Sequence, residues 1–76
     1  MKLSDLKPGQ RAVIRKFDTG ELSLKLLEMG CLPGEKILIE QVAPLGGPIS
    51  INISGYSLSL RVQEANAIIV ETIDYQ

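Results

Sequence analysis

Apolar residues follow two rhythms along this chain. Between Gly20 and Met29 they recur at helical spacing, and elsewhere they alternate with polar residues or form short β-branched runs. The opening Leu3-Ser4-Asp5-Leu6-Lys7-Pro8-Gly9 predicts a turn or two, packed by Leu3 and Leu6 and stopped at Pro8-Gly9. Residues 10–17 then predict a strand, with Ala12, Val13, Ile14 and Phe17 as its apolar content.

The helix is expected over about residues 20–29. Asp18 followed by Glu21 has the layout of a capping box, in which a carboxylate accepts the orphan N–H groups of the first turn. Leu22, Leu26 and Met29 share one face. Gly30 suits the left-handed residue that ends a helix, and Pro33 blocks any continuation. At about 100° per residue, Leu24 and Leu27 project to nearly the opposite side, and Glu21, Lys25 and Glu28 share a flank. A surface helix normally carries one apolar stripe; this one carries two.

Beyond Gly34 the pattern is all β. Residues 36–42 predict a strand with Ile37 and Ile39 on one face. Ala43-Pro44-Leu45-Gly46-Gly47-Pro48 reads as a flexible loop with an apolar tip at Leu45. Residues 49–53 and 56–62 alternate cleanly around Ser54-Gly55, a two-residue hairpin turn. Such a turn opposes residues whose numbers sum to 109, so Ile53, Ile51 and Ile49 meet Tyr56, Leu58 and Leu60 on one face. Asn52 and Ser50 then meet Ser57 and Ser59 on the other. Gln63-Glu64-Ala65-Asn66 predicts a short polar break or one 3₁₀ turn, residues 67–72 a last strand, and Tyr75 a cover for an edge.

Five short strands with one helix inserted after the first imply a mainly β fold. Curling the sheet into a small barrel hides its edges most economically. An SH3-like barrel suits this order; an OB-fold usually places its helix later, between the third and fourth strands. The 76 residues suffice for a single domain, 1–76, and contain no repeat or linker.

Composition changes the picture by subtraction. With no Trp, one Phe and two Tyr, the core must be aliphatic. A net charge of −1 leaves no electrostatic footprint for nucleic acid, which argues against a nucleic-acid-binding barrel. No apolar run approaches the ~20 residues that span a membrane, and no signal-peptide pattern opens the chain. The expected setting is therefore the cytoplasm, with no direct membrane insertion.

The chemistry is sparse. There is no His, and the lone Cys31 reads as a small packing residue at the end of the helix, where the dipole raises a thiol pKa. Glu28, Glu35, Glu40, Glu64, Glu71 and Asp74 are spread out and read as a solvated face. Leu45-Gly46-Gly47-Pro48 lacks the Lys-Ser/Thr of a phosphate cradle. No catalytic residue, metal site or cofactor is expected, which excludes self-sufficient catalysis and points to a binding module. Its candidate contact residues are Leu24 and Leu27 on the second helix face, Leu45 at the loop tip, and Arg61. Leu45 either joins that surface or folds over Leu24 and Leu27; Arg61, opposite Pro48 in the hairpin register, either anchors loop carbonyls or faces a partner.

The run Lys25-Leu26-Leu27-Glu28-Met29-Gly30-Cys31-Leu32-Pro33-Gly34 resembles the "RL-x-x-[LM]-G-[LMC]-x-P-G" segment of the ferrous iron transport protein A (FeoA) family. Leu3, Leu6 and Gly9, then Ala43-Pro44-Leu45-Gly46-Gly47-Pro48, Gly55, Leu60-Arg61 and residues 65–70 follow that family's pattern in order and spacing. Lys25 stands where the family often has Arg, and Cys31 where Leu or Met is common.

The resemblance implies a small cytosolic SH3-like domain that accompanies a membrane ferrous iron permease and regulates uptake by contacting its cytosolic GTP-binding domain. It implies as an alternative that the domain itself binds a transition metal ion and responds to it.

Overall fold

Five antiparallel strands form one sheet in the order β4-β3-β2-β1-β5 in the computed structural model, which describes residues 1–18 and 20–73. The strands are β1 (Arg11–Phe17), β2 (Lys36–Val42), β3 (Ile49–Ile53), β4 (Tyr56–Leu60) and β5 (Ile68–Thr72). Helix α1 (Gly20–Glu28) joins β1 to β2, and α2 (Val62–Asn66) joins β4 to β5. A 3₁₀ turn, Leu3–Asp5, precedes β1 and buries Leu3, as the opening residues predict. This is the mainly β, SH3-like arrangement expected from the sequence. The two end strands are not paired with each other; the chain crosses from one to the other through α2.

Alternation builds the core. Ile49, Ile51 and Ile53 of β3 are buried, as are Ile37 and Ile39 of β2, Ala12 and Ile14 of β1, and Ile68 and Val70 of β5. Each fully buried Ile or Leu contributes about 1.5–3 kcal/mol relative to exposure, so an aliphatic core serves a small domain without tryptophan. The β3–β4 register matches the predicted sum at every pair, from Ile53↔Tyr56 to Ile49↔Leu60. Ser54 (φ 52) and Gly55 (φ 84) both occupy the left-handed region, as a type I′ hairpin turn requires. Register shifts at Ile14/Lys16 and Ile39/Gln41 give one extra residue to β1 and one to β2, bending the sheet where an unbroken ladder would run straight.

The ends of elements differ from expectation by local chemistry. β4 stops at Leu60 rather than Val62, because Val62–Asn66 forms a helix instead of a polar break. β1 and β5 each begin one residue later than expected, at Arg11 and Ile68. Helix α1 ends at Glu28, followed by a Schellman motif: Cys31 N–H donates to the Leu26 carbonyl at 2.9 Å and Gly30 N–H to that of Leu27 at 3.0 Å. Gly30 supplies the positive φ of 97° as predicted. At the other end α1 begins at Gly20, and residue 19, between Asp18 and the helix, lies outside the described residues. The Asp18 N–H continues the β1–β5 pairing, donating to Ala67 O at 2.7 Å. Tyr75 also lies outside the described residues. No helix among those described is long and apolar enough to cross a membrane.

Candidate docking surface

Helix α1 buries only Leu26 completely; Leu22 and Met29 pack partly against the core, the face that the helical spacing assigns to them. Leu24 and Leu27, on the far side, are 68% and 40% exposed. Leu32 and Tyr56 are also large exposed apolar side chains, which the sequence pattern did not indicate. The Tyr56 hydroxyl rests where a Gly30 side chain would be, and in the backbone around it Leu32 N–H donates to Gly30 O at 2.9 Å and Gly30 N–H to Leu27 O at 3.0 Å. Tyr56 opposes Ile53 in the hairpin as expected, but it lies at the end of β4 and stays half-exposed.

The other flank of α1 faces a different feature. Lys25 and Met29 line a groove of about 640 Å³, completed by Gly46, Gly47 and Pro48 of the β2–β3 loop, Ser59, and the stretch from Arg61 to Glu64. By the helical rotation of ~100° per residue, Lys25 and Met29 stand well away from Leu24 and Leu27. The four predicted contact residues therefore do not form one patch. Leu24 and Leu27 lie on the exposed side of α1, whereas Arg61 lines the groove and Leu45 tops the loop whose Gly46 and Gly47 also line it.

Leu45 does not fold over the helix. It is fully solvent-exposed at the tip of a tight turn in which Leu45 (φ 59) and Gly46 (φ 74) are both left-handed. Gly47 N–H donates to Pro44 O at 3.3 Å and Ala43 N–H to Pro48 O at 3.0 Å, so the expected flexible loop is a closed hairpin turn. Arg61 is the N-cap residue of α2, with φ −74° and ψ 156°, rather than a strand residue opposite Pro48. Its backbone N–H donates to Glu64 Oε1 at 2.8 Å.

Glu64 corrects the expectation of a uniformly solvated set of carboxylates: it is buried, only 4% exposed. Its Oε2 lies 2.6 Å from Lys25 Nζ. Burial alone would push its carboxyl up. The hydrogen bonds from Lys25 and from the Arg61 N–H, with the charges of both residues, outweigh burial and hold it below its ordinary value. Cys31 is buried as a packing residue, and burial, with Glu64 adding to it, raises its thiol to about 11. Among the described residues, no three His, Cys, Asp or Glu side chains are grouped to hold a metal ion. What the surface offers chemically is contact: exposed leucines on α1, one mixed groove and an exposed leucine at the loop tip.

Comparison with known proteins gives this arrangement a lineage. Residues 1–72 match the FeoA domain family. A Porphyromonas gingivalis Fe(2+) transport protein A/Fe(2+) transporter FeoB fusion protein is 40% identical over 74 residues, which is 96% of this chain and 9% of that one. The chain thus spans about a tenth of the length of the curated relative it matches. The iron(II) transport protein A of Clostridium thermocellum is 50% identical over 96% of this chain and 46% of that one, with a TM-score of 0.87. A FeoA-like protein from Clostridium acetobutylicum is 32% identical, covering 100% of this chain and 90% of that one with a TM-score of 0.90. With a family match over nearly its whole length and relatives of this similarity, the chain belongs to the FeoA family.

Proposed function

We propose that this chain is an accessory module of ferrous iron transport that acts by protein contact, through Leu24 and Leu27, on the cytosolic GTP-binding domain of a membrane ferrous iron permease. The observation that carries this reading is the fusion: in the Porphyromonas gingivalis relative, a stretch 40% identical to this chain is joined covalently to a Fe(2+) transporter. Covalent linkage gives two modules a high effective concentration, and it is compatible with function only where their contact is useful or harmless. The outward face of α1 supports the reading from the other side. Leu24 and Leu27 are both exposed about one turn apart, and exposed apolar side chains on one helix face are a usual component of a contact surface.

The test is direct. The double variant Leu24→Glu/Leu27→Glu keeps its circular dichroism spectrum and melting temperature but loses binding to the isolated GTP-binding domain in calorimetry. Unchanged affinity in a folded double variant would show that the permease does not dock on this face.

A further inference from the structure

Strand β4 has an open side. It is the end strand of the sheet, and the hairpin register determines which of its backbone groups face outward. The two-residue turn closes on a hydrogen-bonded Ile53↔Tyr56 pair, so the bonded pairs continue at Ile51↔Leu58 and Ile49↔Leu60. Ser57 and Ser59 fall at the alternate positions, where N–H and C=O point away from β3. No backbone hydrogen bond among the described residues engages them. Edge strands elsewhere are guarded by charge, proline or a bulge. Tyr56-Ser57-Leu58-Ser59-Leu60 has none of these. The β5 edge contrasts with it: a bridge from Lys2 to Ile69 and a Val70 N–H to Met1 O bond of 2.8 Å occupy part of that side.

The groove opens beside this edge. Ser59 lines it from the strand, Lys25 from α1 and Met29 from the turn just after it, and Arg61 and Val62 from the chain that follows β4. Its volume of about 640 Å³ lies within the ~300–1,000 Å³ of typical ligand sites. Among the described residues the Arg61 guanidinium makes no ion pair, though its charge acts on the nearby Glu64, while Lys25 is paired directly with Glu64. The groove therefore offers unpaired backbone groups, an apolar wall at Met29 and Val62, and a guanidinium with no carboxylate in direct contact.

We propose that this groove captures an extended, acidic segment of a partner protein, which adds to the open side of β4 as a further strand. The segment's backbone pairs with Ser57 and Ser59, one apolar side chain rests on Met29 and Val62, and a carboxylate meets the Arg61 guanidinium. Edge strands flanked by a helix recognise peptides in this mode, with main-chain bonds supplying affinity and the flanking pocket supplying choice. The inference uses a different surface from Leu24 and Leu27 and does not depend on the permease reading.

A phage-displayed library of random heptapeptides, selected on the intact chain, tests it. Enriched sequences are expected to pair an apolar residue with Asp or Glu. On adding a selected peptide, the Ser57 and Ser59 amides, fast to exchange in the free protein, slow by about tenfold or more, the equivalent of one hydrogen bond. Arg61→Gln weakens binding by about tenfold, the scale of a charge-assisted bond. Ser59→Pro, which takes an outward donor from the strand edge, abolishes binding, and alternate N-methylation of the peptide does the same without altering the protein. No enrichment over empty phage, slow exchange of Ser57 and Ser59 in the free protein, or binding that survives peptide N-methylation at both alternations would overturn it.

Discussion

Lys25 and Glu64 join the two helices through one ion pair of 2.6 Å whose ends differ in exposure: the carboxylate is buried and the ammonium half open to solvent. The pair ties the middle of α1 to α2, an element of only five residues, too short to persist on its own propensity. Removing one partner exposes the asymmetry. Lys25→Met leaves a buried carboxylate with the Arg61 N–H alone to satisfy it. We expect a loss of about 1–3 kcal/mol, the scale of a hydrogen bond to a charged group, kept modest by solvent access on the lysine side. Urea denaturation at pH 7 measures it.

The same pair sets a pH dependence. The Glu64 carboxyl is held below its ordinary value of 4.5 in the folded chain, so its contribution is fully present above that value. It declines as pH falls through the folded value, because protonation then favours the unfolded chain. In Lys25→Met the main lowering influence is gone and burial dominates, so protonation costs that variant less. The stability gap between parent and variant therefore narrows as pH drops from 7 towards 4. Paired denaturation curves across that range check it; a constant gap would mean that the pair contributes nothing electrostatic.

Gly30 answers two constraints at once. Its φ of 97° disfavours any side chain, and the Tyr56 hydroxyl occupies the place of a Cβ. Gly30→Ala is expected to lower stability by about 1–2 kcal/mol from the left-handed backbone, with the displacement of Tyr56 in addition. Adding Tyr56→Phe removes the oxygen and should recover only the second part. Thermal melts of the two variants separate backbone from steric cost.

These cases show what was legible in the residues. The hairpin register was readable because Ser54-Gly55 and strict alternation leave no second solution, and the helix C-terminus because Gly30 and Pro33 stop it on their own chemistry. Helix α2 was not, since five residues are too few to show a period; Glu64 closes back on the Arg61 N–H and also meets Lys25 on α1, the latter a contact between distant positions. Burial of Glu64 was hidden for the same reason. Helical rotation places Leu24 and Leu27 on the exposed side of α1, whereas the contact of Tyr56 with Gly30 depends on the fold. Leu45 and Arg61 were chosen with the helix leucines but belong beside the groove, a separation that periodicity within one element does not carry.

Cys31 should be chemically silent. It is buried and its thiol is raised to about 11, by burial first and Glu64 second. At pH 8 about one thiol in a thousand is ionised by that value, and the thiolate is the reactive form. Labelling by an aromatic disulfide is therefore expected to require opening of the fold and to speed up with sub-denaturing urea in proportion to loss of stability. A rate indifferent to urea would show that the thiol is reached without opening.

Leu45 is the residue most out of keeping with its place. A left-handed conformation disfavours a branched apolar side chain by about 1–2 kcal/mol, and this one gains nothing in return, being fully exposed. Asn tolerates the same backbone, since its short side chain bonds locally. Leu45→Asn should therefore raise stability by up to about 1 kcal/mol, against the usual direction of surface-to-polar changes, which are near neutral. If Leu45 is a docking contact, as expected from the sequence, the stabilised variant should also bind a docking partner more weakly. Melting temperature and partner affinity, measured on the same preparation, decide between the two accounts. A rise in both would make the turn a simple imperfection; a rise in stability with a loss of binding makes Leu45 an anchor.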